Sequence, residues 1–507
     1  MVSFSKDLCQ NFFQFCLTRP GCRSVERISY EQMPSHIFNP VATRIARLLD
    51  TATELVLYGM IVFAPWAFGS TQTWSIRCMN VAGYLLGMLL AGRVWARRAD
   101  RVAEIRIDQT PRITLALKAA TLTILAYCLV AAVNAEFTYI PWEWRQEPHP
   151  HVHWLPHSLD RNASWQVFWN WLAIAGTFWA VHDWLCNDIA PDGHRSLRRL
   201  RRLVFALTAN AALVAFEGIL QRVSDTPKLL WFKATHDNPS AASQFGPYAY
   251  RANAAQFFNL IWPAALGLWW QLHLQRAGGS RRVKPHHWLL PCALLLIAAP
   301  LISMSRGGVA VAIVEMCACC GIVLAGKKVG ITSKLSMVLV FLASLGLASY
   351  VGWDQLAKRL HDTAADPLGG RRETYELAAR MTQDYPWFGV GPGAFDSVFQ
   401  LYRNSPDDYW PAQLHDDWLE YQITFGRIGC ALLLVGGALV GMRWFIPGGL
   451  RMHWTFPAFI WIGIGGCLLH ARFDFPLQIY SIQFVFILLC ALLFSVSRPG
   501  SGRVDPA

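Results

Sequence analysis

Apolar residues in this chain gather into long blocks, near 53–69, 75–95, 113–133, 165–185, 202–221, 253–273, 287–304, 307–325, 335–352, 424–443, 454–471 and 477–495. Each block is about the length that carries a helix across a bilayer, roughly 20 residues. Apolar and polar positions do not alternate within them, so the pattern predicts helices and excludes a transmembrane barrel. The expected fold is all-α: a polytopic integral membrane protein with about 12 transmembrane helices and a long helical loop on one face.

The stretches between blocks sort into two kinds. One set is short and basic. The other contains loops at 134–163 and 223–252 and a much longer one at 353–423. In the long loop, Thr374, Leu377, Ala378 and Met381 fall at i, i+3, i+4 and i+7, which predicts an amphipathic helix over Gly370–Asp384. Pro386-Trp387-Phe388-Gly389-Val390-Gly391-Pro392-Gly393 must break it. A short helix over Ala394–Arg403 follows. Pro411 suits the first turn of a third helix that carries His415 toward the tenth block. The expected organisation is a cytoplasmic segment 1–52, nine spans over 53–352, a periplasmic catalytic loop 353–423, three spans over 424–496 and a cytoplasmic tail 497–507.

Composition agrees with the blocks. Of 507 residues, 54% are hydrophobic and 15% charged, against about 25% charged in soluble domains. The net charge of +12 is not spread evenly. Arg93, Arg97, Arg98, Arg101 and Arg106 follow the second block, and Arg195, Arg198, Arg199, Arg201 and Arg202 the fourth. Arg276, Arg281, Arg282 and Lys284 follow the sixth, Lys327 and Lys328 the eighth, and Arg443 the tenth. Every cluster follows an even-numbered block, so a single orientation satisfies the positive-inside rule and puts both termini in the cytoplasm. That placement explains the charge without nucleic acid. The first 52 residues show no short apolar core with a cleavage site, so no removable signal peptide is expected. The three long loops hold none of the 13 cysteines, and no disulfide is expected there. No cytoplasmic loop is long enough for a nucleotide-sugar-binding domain.

Candidate chemistry gathers at the outward ends of the blocks. Ser305-Arg306-Gly307-Gly308 puts an arginine where it must find an anion or a wet cavity. Tyr250-Arg251-Ala252-Asn253 supplies a second arginine, and Arg371 and Arg372 a third basic spot. Histidine suits proton transfer near neutral pH. His415 lies beside Asp416 and Asp417, with Trp418 and Glu420 following. His149, His151, His153 and His157 read as an incidental histidine-rich loop rather than a zinc or copper site. Glu217 lies inside a block and is a candidate by default, with Gln221 one turn later able to satisfy it. His470, Arg472 and Asp474 are placed to pair among themselves. The glycine-rich 388–393 stretch lacks the Gly-Lys-Ser/Thr ending of a phosphate loop and reads as a tight turn.

Ser305-Arg306-Gly307, Gly370-Arg371 with Tyr375 and Ala378, Pro386 through Phe395, His415 through Glu420, and Gly426-Arg427-Ile428-Gly429 together resemble the C-terminal domain of the O-antigen ligase and polymerase superfamily. Phe245-Gly246-Pro247 with Arg251 and Ala255, and His470 through Phe475, resemble its flanking elements, so the likeness spans about 240–490. The chain departs from the family pattern at Ala252, Asn253, Tyr375 and Asp416.

The resemblance implies an inner-membrane glycosyltransferase that takes a glycan from a polyprenyl-diphosphate carrier to a periplasmic acceptor hydroxyl, with inversion. Arg251, Arg306 and Arg371 would neutralise the departing diphosphate. His415 would serve as base with Asp416 or Asp417 behind it, and Arg372, Asp416, Trp418, Glu420 and Asn253 would contact substrate. No cofactor and no metal are expected. A lipid A core acceptor would make a ligase, a growing glycan a polymerase, and a protein an oligosaccharyltransferase. A transporter or lipid-glycan flippase is the alternative from another class. It expects its polar residues near the bilayer midplane.

Overall fold

The computed structural model describes residues 40–99, 111–186, 193–235, 240–274, 285–325, 330–365, 371–404, 412–446 and 449–497. Each of the twelve apolar blocks is a helix. In chain order these are α1 (Pro40–Trp66), α2 (Thr73–Ala99), α3 (Arg112–Val133), α4 (Arg161–Cys186), α5 (Gly193–Val223), α6 (Arg251–Leu274), α7 (Leu289–Ile302), α8 (Arg306–Ala325) and α9 (Ile331–Ala365). Two loop helices follow, α10 (Arg372–Asp384) and α11 (Phe395–Phe399), then α12 (Asp417–Met442), α13 (Thr455–His470) and α14 (Tyr480–Ser495).

Seven of the described helices are long and apolar enough to cross a membrane: Arg44–Trp66, Thr73–Arg98, Arg112–Val133, Arg195–Val223, Arg306–Ala325, Lys334–Val351 and Asp417–Phe445. Shorter apolar helices cover His286–Ile302, Thr455–His470 and Tyr480–Ser495. The outer faces of the first three are greasy stripes: Leu48, Leu55 and Val62 on α1, Val81, Met88 and Trp95 on α2, Leu115, Leu122 and Leu129 on α3. Exposed apolar residues at seven-residue spacing are the lipid-facing side of a helix rather than a soluble surface.

The centre is α6. Every residue from Ala252 to Leu272 is buried, and α5, α7, α8, α13 and α14 all pack on it. Where α2 crosses α4, a Cβ on Gly83 would stand 2.6 Å from the Ala173 carbonyl oxygen, so small residues let the backbones approach. Arg93 and Arg199, which the sequence places among the basic clusters, are buried. Asp50 accepts from Arg93 at 2.7 Å and from Arg199 at 2.5 Å, and Asp183 pairs with Arg93 at 3.1 Å and Arg97 at 2.6 Å. This clamp ties α1, α2, α4 and α5 together. Arg101, Arg106, Arg276, Arg281, Arg282, Lys284, Lys327 and Lys328 lie outside the described residues.

The chain is mostly helical but not all-α. Loop 134–163 carries an antiparallel hairpin, β1 (Phe137–Ile140) with β2 (Arg145–Pro148), and loop 223–252 a shorter one, β3 (Lys228–Leu229) with β4 (Lys233–Ala234). A parallel pair, β5 (Leu450–Arg451) with β6 (Val496–Ser497), joins the last two apolar helices at one end.

The long loop has its own core. Leu377, Ala378 and Met381 of α10 pack with Val390, Phe395, Val398, Phe399, Leu414, Ile423 and Leu159, the last from the hairpin loop. The predicted short helix closes early, at Phe399. The predicted third helix begins at Asp417, not at Pro411, which lies outside the described residues. Asp416 supplies the reason: its carboxylate accepts from the Leu419 amide at 3.2 Å and caps the helix there.

The glycine-rich turn docks on a break in α12. Val390 and Gly391 donate to the Ile423 and Thr424 carbonyls at 2.8 and 3.1 Å, and Arg427 and Ile428 donate back to Pro386 and Trp387 at 3.0 and 3.1 Å. Gly389 (φ 71°) and Gly426 (φ 61°) sit face to face in conformations that favour glycine. Tyr127 of α3 bridges both sides, its hydroxyl 2.9 Å from the Phe388 carbonyl and 2.8 Å from that of Phe425.

Candidate functional site

His415 sits on the residue before the cap of α12, with φ of 61°. A non-glycine residue rarely adopts that conformation. It is held from outside: the Tyr375 hydroxyl of α10 donates to the His415 carbonyl at 2.9 Å. The ring lies edge-on to Phe475 at 4.6 Å and to Tyr250 at 6.0 Å, and these two stack on each other at 5.6 Å. The side chain keeps 24% of its surface exposed.

The imidazole does not face Asp416 or Asp417. Its Nδ1 lies 3.1 Å from Oδ1 of Asp474, in the turn after α13. Asp474 also accepts from the Tyr250 hydroxyl at 3.2 Å and from the Phe475 amide at 3.0 Å, with His470 Nε2 at 3.9 Å. Burial by itself would raise the Asp474 carboxyl. The hydrogen bond from His415 and the charges of His470, His415 and Arg371 outweigh it and hold Asp474 below the usual carboxylate range. Burial, with the Asp474 charge, pushes the Tyr250 hydroxyl up to about 12, so it remains a donor. An imidazole whose Nδ1 is engaged by a carboxylate presents Nε2 to a partner, the arrangement by which such pairs take up a proton.

The flanking acids have other tasks. Asp416 caps α12 and pairs with Arg472, which removes Arg472 from the expected grouping with Asp474. Asp417 straps the start of α12 to the turn beyond α13: its amide donates to the Ala471 carbonyl at 2.8 Å, and its carboxylate accepts from the Leu477 amide at 2.8 Å. Glu420 accepts from the Leu414 amide at 2.8 Å. Trp418 donates its indole N–H to the Leu468 carbonyl at 2.9 Å. Arg372 pairs in solvent with Glu376, and Asn253 is buried in the first turn of α6.

Of the three arginines, Arg371 acts on Asp474 directly, Arg251 lies near Tyr250, and Arg306 precedes the glycine that packs on His470. Arg371 donates to the Phe473 carbonyl at 3.3 Å. Burial lowers its pKa, but the Tyr250 and Asp474 charges raise it by more. Arg306 opens α8 and is exposed. Ser305 caps that helix by accepting from the Gly308 amide at 3.1 Å. Close contact explains the two glycines. A Cβ on Gly307 would stand 2.7 Å from His470 Nε2 and 2.8 Å from the Phe473 ring, and one on Gly308 would collide with Ala255. From α6, Gln256 binds His470 at 2.7 Å and Asn259 donates to the Gly308 carbonyl at 2.9 Å. Arg251 opens α6 and donates to the Ala242 carbonyl at 2.6 Å. Both helix starts add positive dipole ends to the arginines they carry.

Two contributors escape the sequence reading. Sequence proximity groups Asp474 with His470 and Arg472, although it is the acid of the His470–Phe475 element. Arg222 stands outside every motif of the sequence. It donates to the Ala241 and Gln244 carbonyls at 2.8 and 2.9 Å and reaches Ser303 at 3.4 Å, tying loop 223–252 to the corner before Arg306. Gln221 does not satisfy Glu217; it donates to the Lys228 carbonyl at 3.1 Å and accepts from the Gly246 amide. In the histidine-rich loop His149 meets Thr138 at 2.8 Å, while His151 meets His153 at 2.8 Å.

No curated protein matches the chain. Residues 291–434 match the family model described as O-Antigen ligase. The match runs from α7 into α12, holds Arg306, Arg371 and His415, and ends before Asp474. Residues 291–434, set among helices long and apolar enough to cross a membrane, thus carry an O-antigen ligase domain.

Proposed function

We propose that the protein is a multi-pass glycosyltransferase of the bacterial inner membrane that moves a glycan from a polyprenyl diphosphate to an acceptor hydroxyl on the periplasmic side. The acceptor oxygen attacks the anomeric carbon from the face opposite the diphosphate, inverting it. His415 Nε2 takes the acceptor proton while Asp474 fixes the ring. The bond from the anomeric carbon to the diphosphate oxygen breaks, and its electron pair leaves with the diphosphate. Arginine suits the departing group because it stays protonated and forks two hydrogen bonds to phosphate. Arg306, Arg371 and Arg251 take that role, and no step calls for a metal. Twelve spans, with both termini cytoplasmic and loop 353–423 periplasmic, complete the proposal.

The observation that carries this reading is the 3.1 Å contact of His415 with Asp474 beside Arg371. The test is glycan transfer from lipid carrier in membranes containing matched amounts of each variant. His415→Ala should lose 10²–10⁴-fold, the usual worth of a proton-transfer group, and Asp474→Asn should fall with it. Near-normal transfer by both would overturn the mechanism and favour a transporter. EDTA should leave transfer intact at temperatures where the protein stays folded. Mass spectrometry of glycoconjugates from a deletion strain identifies the acceptor: unligated, unpolymerised or protein-free glycan.

A further inference from the structure

Three histidines converge at the end of α6 remote from Arg251. His273 lies in the last turn of α6, and His286 and His287 lie in the 3-10 turn Pro285–Trp288 that leads into α7. One ring nitrogen from each falls within 4.8 Å of those of the other two. The His286 and His287 centroids are 4.3 Å apart, and each is 6.2 Å from that of His273. His286 is 5% exposed, and the other two are half-buried. Trp269, one turn before His273, stacks on its ring at 5.4 Å and 28° and fixes its plane.

Three imidazoles this close repel one another if protonated, whereas in the neutral form each offers a lone pair. A tetrahedral ion binds imidazole nitrogen at about 2.0–2.1 Å, which sets ligand nitrogens roughly 3.4 Å apart, so small ring rotations bring this group onto one ion. Nitrogen-only ligation suits zinc and its first-row neighbours, while magnesium and calcium want oxygen. We propose that His273, His286 and His287 bind one zinc-class divalent cation, with water as fourth ligand, and that the ion staples the end of α6 to the start of α7. At about 1.5 Å per residue the site lies about 33 Å along α6 from Arg251, so it serves the architecture and not the transfer chemistry.

The test uses the full chain, free of any polyhistidine tag, in detergent. It is stripped with chelator, dialysed against zinc chloride and desalted. Elemental analysis should find one zinc per chain, and zinc should raise the melting temperature followed by tryptophan fluorescence, while magnesium should not. His287→Ala and His273→Gln, each checked for an unchanged elution volume, should lose both the zinc and the rise. A His151→Ala, His153→Ala double variant should keep them. Absence of retained zinc, retention by both His287→Ala and His273→Gln, or loss only in the double variant would each overturn the site.

Discussion

Left-handed backbone at a non-glycine residue costs on the order of 1–3 kcal/mol, and His415 is held there by Tyr375 on one side and the capped start of α12 on the other. What that position secures is the approach of Nδ1 to Asp474. Because the Asp474 pKa is depressed on folding, its contribution to stability is present above the ordinary carboxylate value of about 3.9. It is lost as pH falls through the lower folded value. The melting-temperature gap between the native protein and Asp474→Asn should therefore hold from neutral pH down to about 4 and close only in stronger acid; a gap that widened in acid would contradict the assignment. Arg306 gives a second check. Arg306→Lys keeps the charge and loses the fork, so transfer should recover only in part, while Arg306→Ala should lose a charge-assisted bond worth about 1.5–3 kcal/mol. Full rescue by lysine would mean that the side chain merely reaches for lipid headgroups.

At the scale of elements, the glycine-rich turn and the break in α12 are two halves of one joint. A Cβ on Gly389 would stand 2.6 Å from the Thr424 carbonyl carbon, and one on Gly426 would collide with the Trp387 and Gly389 backbones. Gly389→Ala and Gly426→Ala should lower the yield of folded protein sharply, whereas Gly437→Ala, with open space around it on the same helix, should be neutral. Size-exclusion profiles of the three decide it; equal profiles would mean that the joint carries no strain. The two motifs were legible in the sequence as punctuation, but their pairing was not. Spacing records where glycine is needed and not which backbone presses on it. The helices were legible from apolar length, and α10 from its 3.6-residue period. The start of α12 was not, because Pro411 and Asp416 are both acceptable openings and the side-chain cap at Asp416 decides between them. Asp474 was hidden for the same kind of reason: Arg472 and His470 were nearer in sequence, while His415 reaches it only across the fold.

For the whole molecule, the basic clusters and the lipid-facing stripes make one demand on topology. A reporter active only outside the cytoplasm should be on when fused after residue 400 and off after residue 280; the reverse at either site would remove the proposed periplasmic chemistry. The clamp of Asp50, Arg93, Arg97, Asp183 and Arg199, buried save for the half-buried Arg97, bears on how the chain is made. Leaving a charge buried in protein without its partner costs about 3–5 kcal/mol, and these five leave the ribosome in an order that limits the exposure. Asp50 meets Arg93 as soon as α2 emerges, the excess positive charge brought by Arg97 waits for Asp183 on α4, and Arg199 arrives last to take the second oxygen of Asp50. Nascent chains halted after α2 should hold α1 and α2 together against extraction at high pH. Asp50→Asn should release them during synthesis, long before any defect in the finished protein.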